Sequence, residues 1–240
     1  RPTRLFDGVL QIETLAGEGV RYEQRAPGSD EPPAFPADIR LPLAIELDGL
    51  SIRDIALVTA PGAEPLTVDA LELAGTYHES QLELARLLLR RTDLELEGTA
   101  SLDTRDDYPL TGRLQWQAQL PDQAPLRAES RLSGSLRELH IEQSVNAPYA
   151  LLASVQVHEP LTALRLDARI ELQDSHLSAI DANWPDMRLA GSLAASGATD
   201  ALQLDGAVGL RDAADAVLQL AFTGLLQPEV LHLDTQRLSS

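Results

Sequence analysis

The stretch LTGRLQWQAQL (residues 110–120) decides the fold class, because its apolar and polar residues alternate one by one. Even positions hold leucine, glycine, tryptophan or alanine, and odd positions hold threonine, arginine or glutamine. Successive side chains of a β-strand point to opposite faces, so the alternation predicts a strand with one apolar and one polar face. The same pattern returns along most of the chain, and the question is what covers the apolar faces.

Six further segments show this period of two: residues 41–49, 66–73, 94–103, 126–137, 164–173 and 202–211. Residues 5–25 are interpreted as two short strands. The connections rich in proline, glycine and aspartate are short, so they predict antiparallel hairpins rather than parallel strands with crossover helices. Residues 26–38, which contain four prolines, form the one linker candidate. We expect residues 1–240 to be a single elongated segment of a larger protein.

Residues 78–93 are the one long stretch that also allows a helix. Their leucines do not settle on a single helical stripe. Instead, the apolar parity changes between Leu84 and Leu87, as it does when one extra residue forms a β-bulge. The sequence therefore favours strands with a bulge over a helix. A degenerate Leu-x-Gly step also recurs, and glycine on an apolar strand face indicates a bend or a close approach of two chains.

Composition excludes several classes of function. The net charge is −18, which disfavours binding to nucleic-acid phosphates, so no nucleic-acid partner is expected. The chain has no cysteine, which excludes disulfides, thiolate metal sites and cysteine nucleophiles. No run approaches the roughly 20 apolar residues of a membrane span.

Catalytic motifs are missing from the sequence. The five histidines have no ligand spacing, no serine lies in a nucleophile elbow, and no glycine-rich loop opens a helix. We therefore predict a protein that is not an enzyme, with no catalytic residue, cofactor or metal. Arg86, Arg90 and Arg91 form one basic cluster, which is interpreted as a solvated bend, with a lipid-phosphate clamp as the alternative.

Two arrangements could cover the apolar faces. Two sheets could stack as a sandwich, or one long sheet could curl into a trough that is filled by a guest. The apolar residues are leucine-rich and only 4% of the chain is aromatic, a lining that suits a fluid guest. The residues predicted to line such a groove and to contact acyl chains are Leu43, Ile45, Leu47, Leu94, Leu96, Leu114, Trp116, Leu132, Leu136, Leu164, Leu166, Ile170, Leu204 and Val208.

Three stretches carry a resemblance to a known family: LPLAIELDGLSIRDIAL (41–57), residues 66–102 and YPLTGRLQWQAQL (108–120). Their order of Leu-Pro, short strands, Leu-x-Gly steps and Pro-Leu resembles the amino-terminal part of the TamB family, which is related to AsmA-like proteins. DANWPDMRLAGSLAASG (181–197) resembles the family's turn with tryptophan followed by Leu-x-Gly.

The resemblance implies an all-β fold with a long, curled, mostly antiparallel sheet, a β-taco or repeating β-groove with a hydrophobic interior. It implies a periplasmic location, in a protein anchored in the inner membrane of a Gram-negative bacterium. The implied function is outer-membrane biogenesis, by carrying phospholipids between the membranes or by assisting outer-membrane protein assembly and secretion.

The implied partners are phospholipid acyl chains, nascent outer-membrane proteins, and a TamA-type barrel reached through parts of the protein outside this sequence. A scaffold that offers strand edges to nascent β-barrel proteins, and a closed β-sandwich or adhesin domain, are the alternatives.

Overall fold

The structure is a computed structural model that describes residues 8–23, 39–58, 64–121, 124–160, 164–180, 183–198, 200–212, 216–227 and 230–239. Within these residues the chain forms sixteen strands and one helical turn, α1 (Leu177–Ile180). Most strand pairs are antiparallel, and three pairs, all with β4, are parallel. The predicted fold class, an all-β chain with a long and mostly antiparallel sheet, is confirmed. The linker candidate at residues 26–38 lies outside the described residues.

The chain divides into two compact units, residues 1–117 and 118–240. The strands of the first unit are β1 (Val9–Ile12), β2 (Leu15–Glu18), β3 (Arg21–Glu23), β4 (Ala44–Val58), β5 (Leu66–His78), β6 (Gln81–Arg91), β7 (Leu94–Asp103) and β8 (Leu110–Ala118, whose last residue belongs to the second unit). Those of the second unit are β9 (Leu126–Gly134), β10 (Glu138–Ala147), β11 (Leu151–His158), β12 (Arg165–His176), β13 (Arg188–Ala198), β14 (Ala201–Arg211), β15 (Val217–Gln227) and β16 (Val230–Ser239).

The amino-terminal edge of the first unit differs from the prediction. Three short strands, not two, lie here, and all three pair in parallel with the long strand β4. Parallel pairing needs a connection that brings the chain back to its starting end. The expectation of antiparallel hairpins was therefore wrong at this edge.

Residues 78–93 form no helix, and the predicted bulge is confirmed. In β6 the register shifts between Leu84 and Leu87 where the strand pairs with β7. As a result, Leu82 and Leu84 before the shift lie on the same face as Leu87 and Leu89 after it. A similar shift between Leu47 and Leu50 preserves the apolar face of β4. The bulges therefore explain why strict parity fails in this unit.

The second unit is the more regular of the two. Its strands β9 to β16 follow one another in chain order, and each pair is antiparallel. Few residues separate most of them along the chain. After β9, for example, the Ser135 amide donates to the Glu138 carbonyl at 2.8 Å.

Candidate functional site

The register places the apolar residues of the second unit in continuous rows across its strands. One row runs through Leu139, Val157, Leu166, Gly197, Leu202, Leu226 and Leu231. The next row runs through Leu132, Ile141, Val155, Ala168, Ala195, Leu204, Gly224 and Leu233. Two more rows follow, through Ile170, Leu193 and Phe222 and through Leu151, Leu172 and Val208. We call this side of the sheet the apolar face and the other side the polar face.

The first unit carries an apolar face of the same kind. Its rows are Ile45–Tyr77–Leu82–Leu102, Leu47–Gly75–Leu84–Ala100, Leu50–Leu73–Leu87–Gly98 and Ile52–Leu71–Leu89–Leu96. Leu114 of β8 extends this face, because a Cβ atom on Gly98 would lie 2.6 Å from its Cδ2 atom. Strand β8 alternates between half-buried and exposed residues along its whole length.

Most side chains on the apolar faces are half-buried, although a few, such as Tyr77 and Val157, are buried. In β12, for instance, Leu166, Ala168, Ile170 and Leu172 are intermediate in exposure, and the residues between them are exposed. No large side chain within the described residues is fully buried. The inner faces of a sandwich pack at crystal-like density and bury their side chains completely. Neighbours in the sheet thus cover the flanks of these side chains, and a stacked second sheet does not cover their tips.

Most of the predicted lining residues lie on strands, with the expected parity. Ile45, Leu47, Leu94, Leu96, Leu114, Trp116, Leu132, Leu166, Ile170, Leu204 and Val208 are all half-buried strand residues. The registers bring Leu166, Leu132, Leu204, Ile170 and Val208 together on the face of the second unit. Leu94 differs from the others because its cross-strand partner on β6 is a charged residue, Arg91.

Three predicted residues lie outside the strands. Leu43 precedes β4, directly after Pro42, which cannot donate a ladder hydrogen bond. Leu136 lies in the turn after β9, where Ser135 Oγ accepts the Arg137 and Glu138 amides at 3.2 and 3.3 Å. Leu164 precedes β12 and is exposed. The alternation of apolar and polar residues continues beyond the true ends of these strands. The alternation alone therefore placed these three residues within them.

Several face residues were missed by the sequence reasoning. Leu139, Ile141, Val155 and Val157 belong to the rows as fully as Leu166 does. The signal was present, since LLASVQVH (151–158) also alternates, but it contains no Leu-x-Gly step.

A polar pair lies among these apolar rows. Ser130 and Gln143 are cross-strand partners on the apolar face at its β9 end, and Ser130 is buried. The pair divides the apolar surface there.

The described cavities lie on the polar faces. One of about 550 Å³ is lined by Glu129, Arg131, Glu142, Arg169 and other residues of β9 to β12. Another of about 530 Å³ lies beside Arg86 and Arg113 in the first unit. Charged side chains of both signs line each of them, so these are polar depressions on the side opposite the predicted lining.

The basic cluster is paired with carboxylates. Arg86 lies 2.9 Å from Glu72, and Arg91 lies 2.6 Å from Asp93. Arg90 is 3.7 Å from Glu95. Because each guanidinium has an acidic partner, the arrangement favours the solvated bend over a clamp for lipid phosphate.

Histidines of the polar face are paired in the same way. His158 lies 3.1 Å from Asp167, and His140 lies 3.7 Å from Glu142. Within the described residues, no three histidine, aspartate or glutamate side chains are grouped so that they could hold a metal ion. In that same part of the chain, no helix has the length and apolar character that crossing a membrane requires.

These features define a class of protein: an all-β scaffold whose open sheets carry an uncovered apolar face and a charged polar face. The chain belongs to the TamB family, whose description "TamB, N-terminal domain" it matches over residues 22–239. No curated protein and no solved structure matches it.

Membership of this family indicates a TamB-type role in outer-membrane biogenesis. The family is a transport and assembly module that is not known as an enzyme, and it works with TamA-type partners. Family membership also indicates that this chain is a periplasmic region of a protein anchored in the inner membrane.

Proposed function

We propose that the apolar faces bind phospholipid acyl chains and that the protein conducts phospholipid between the inner and outer membranes. The observation that carries this proposal is the uncovered apolar face: rows of aliphatic side chains in register, most of them half-buried, with no fully buried large side chain among the described residues. The lining proposed from the sequence is retained, with Leu166 and Ile170 at its centre.

The chemistry of the face suits a guest that must move. Aliphatic contact is non-directional, and each methylene removed from water contributes about 0.8 kcal/mol. A chain that moves by one methylene exchanges one such contact for another, so little free energy separates neighbouring positions. Glycine and alanine alternate with leucine along the rows, as in Leu166–Gly197–Leu202. Such a surface binds an acyl chain without fixing it in one position.

The polar face supports the proposal in a second way. In β12 the residues of this face are exposed, and the chain carries a net charge of −18. An acidic surface is repelled by anionic headgroups, so adhesion of this face to a membrane is disfavoured. Lipid contact is thereby confined to the apolar face.

Leu151 and Leu152 allow a direct test, because these adjacent leucines lie on opposite faces. Leu151 is half-buried on the apolar face, and Leu152 is 42% exposed on the polar face. A photoreactive amino acid at position 151 should crosslink phospholipid in cells, and the same group at position 152 should not. Equal labelling at both positions would contradict the proposal, because greater exposure alone favours position 152.

A charge on the face should block passage. Leu166→Asp places a carboxylate in a row of aliphatic side chains, and Leu152→Asp makes the same change on the polar face of the neighbouring strand. We expect lipid to co-purify with the wild type and with Leu152→Asp but not with Leu166→Asp, as measured by native mass spectrometry and lipid extraction. Normal lipid loading of a folded Leu166→Asp variant would refute the conduit.

A further inference from the structure

One corner of the first unit is built differently from the rest of the molecule. Tyr77 of β5 is only 8% exposed, and Ser80 and Thr104 beside it are buried polar residues. Tyr77 belongs to the end row of the apolar face, between Ile45 and Leu82.

Two hydroxyl groups at this corner converge on one backbone carbonyl. The Tyr77 hydroxyl donates to the Ile39 carbonyl, and the Thr104 hydroxyl donates to it at 2.7 Å. The Ile39 amide in turn donates to the Thr104 carbonyl at 3.2 Å. Tyr77 and Thr104 both have the parity of the apolar face, Thr104 lying two residues beyond Leu102. Because strand side chains stand roughly perpendicular to the sheet, Ile39 is held on the apolar side.

From Ile39 the chain runs forward to the start of β4. Residues Ile39–Leu43, which we call the strap, connect the end of β7 at Thr104 with the start of β4 at Ala44. Strands β5 and β6 lie between β7 and β4 in the sheet. The strap therefore passes the end row, Ile45–Tyr77–Leu82–Leu102.

We infer that Tyr77 is a positioning residue that bounds the acyl-chain path on the first unit at its end row. With Thr104 it holds the strap across the end row, so that a bound chain reaches the row of Leu84 but not the row of Leu82. This inference rests on the proposed function, since it assigns a boundary to the same apolar face.

The test uses vesicles that contain phosphatidylcholine with a diazirine in one acyl chain, incubated with the protein and irradiated. Mapping of the labelled residues should show label at Leu84 and none at Leu82 or Leu102.

The double variant Tyr77→Phe/Thr104→Val removes both hydroxyls and nearly preserves shape, and it should extend the label to Leu82 and Leu102. Tyr149→Phe, in the second unit, makes the same chemical change away from the strap and should leave the pattern unchanged. Label at Leu82 in the wild type, or an unchanged pattern in the folded double variant, would overturn the inference.

Two additions keep the test decisive. If the double variant does not fold, Ile39→Pro removes the amide that donates to the Thr104 carbonyl, leaves both hydroxyls in place, and should extend the label in the same way. If no lipid labels either unit, the proposed function fails, and the strap is tested without lipid. The chain has no cysteine, so Leu82→Cys and Leu84→Cys each introduce a single thiol. Loss of the hydroxyl contacts should raise maleimide labelling at position 82 about fivefold to tenfold and leave position 84 unchanged. Equal rates at position 82 with and without the hydroxyls would refute the strap itself.

Discussion

The corner around Tyr77 and the rows around Leu193 are two solutions to the same problem of covering apolar surface. At the corner, aromatic and hydroxyl side chains bury one another and are hydrogen-bonded to the backbone. In the rows, aliphatic side chains of neighbouring strands meet only at their flanks and remain half-buried. Packing at the corner stabilises the protein, and the openness of the rows leaves contact surface for a guest.

The largest expected effect comes from truncating one side chain in each region. Tyr77→Ala removes a buried aromatic ring and should destabilise the first unit by about 3 kcal/mol or more. Leu193→Ala removes a half-buried side chain and should cost the second unit about 1 kcal/mol. Hydrogen exchange followed by mass spectrometry reports on each unit separately. Equal losses would show that the rows are as tightly packed as the corner, contrary to the burial described.

A smaller effect is expected at Gly206, where an aromatic ring packs against the strand backbone. The ring of Phe222 lies over Gly206, and a Cβ atom there would be 2.9 Å from Phe222 Cε1. Gly206→Ala should therefore displace the ring and cost about 1–2 kcal/mol.

Gly209 on the same strand is the matched control, because its nearest neighbour, the Ala190 carbonyl, would lie 3.9 Å from a new Cβ. Gly209→Ala should be neutral or slightly stabilising in urea unfolding. A neutral result at Gly206 as well would mean that the ring has room to move, and the rows would then be looser than described.

The smallest effect depends on pH and belongs to the corner. Asp103 accepts hydrogen bonds from Arg105 Nε at 3.0 Å and from Gln81 Nε2 at 2.6 Å. Hydrogen bonding by Arg105, with a further contribution from Ser80, holds the pKa of the Asp103 carboxyl well below its usual range. A pKa that is lower in the folded state contributes stability above the unfolded-state value, about 4, and loses it as the pH falls toward the folded-state value.

The free energy of unfolding of the wild type should therefore exceed that of Asp103→Asn by a constant amount above about pH 5. The difference should shrink as the solution is acidified below about pH 4. Urea unfolding of both proteins, at pH values above about 5 and below about 4, measures this difference in the free energy of unfolding. A difference that does not depend on pH would assign the contribution of Asp103 to hydrogen bonding alone.

Local patterns predicted most of the fold, and contacts distant in sequence account for the rest. Alternation placed Leu166 and Ile170 on one face, and the change of parity after Leu84 located the bulge. The strap was not predictable, because Ile39 and Thr104 lie 65 residues apart and neither has a pattern that points to the other. The same reason applies to the parallel pairing of β1 with β4, since strand direction depends on the connection and not on the alternation of side chains.

The chain-order pairing of the second unit has a consequence for how the protein folds. Every strand from β10 to β16 pairs, within the described residues, with the strand that precedes it in the chain. Contacts between such neighbours require only short loops to close, so the entropy lost before each pairing is small. Folding can therefore advance one hairpin at a time, and a hairpin gained or lost in evolution would lengthen or shorten the sheet without changing its plan.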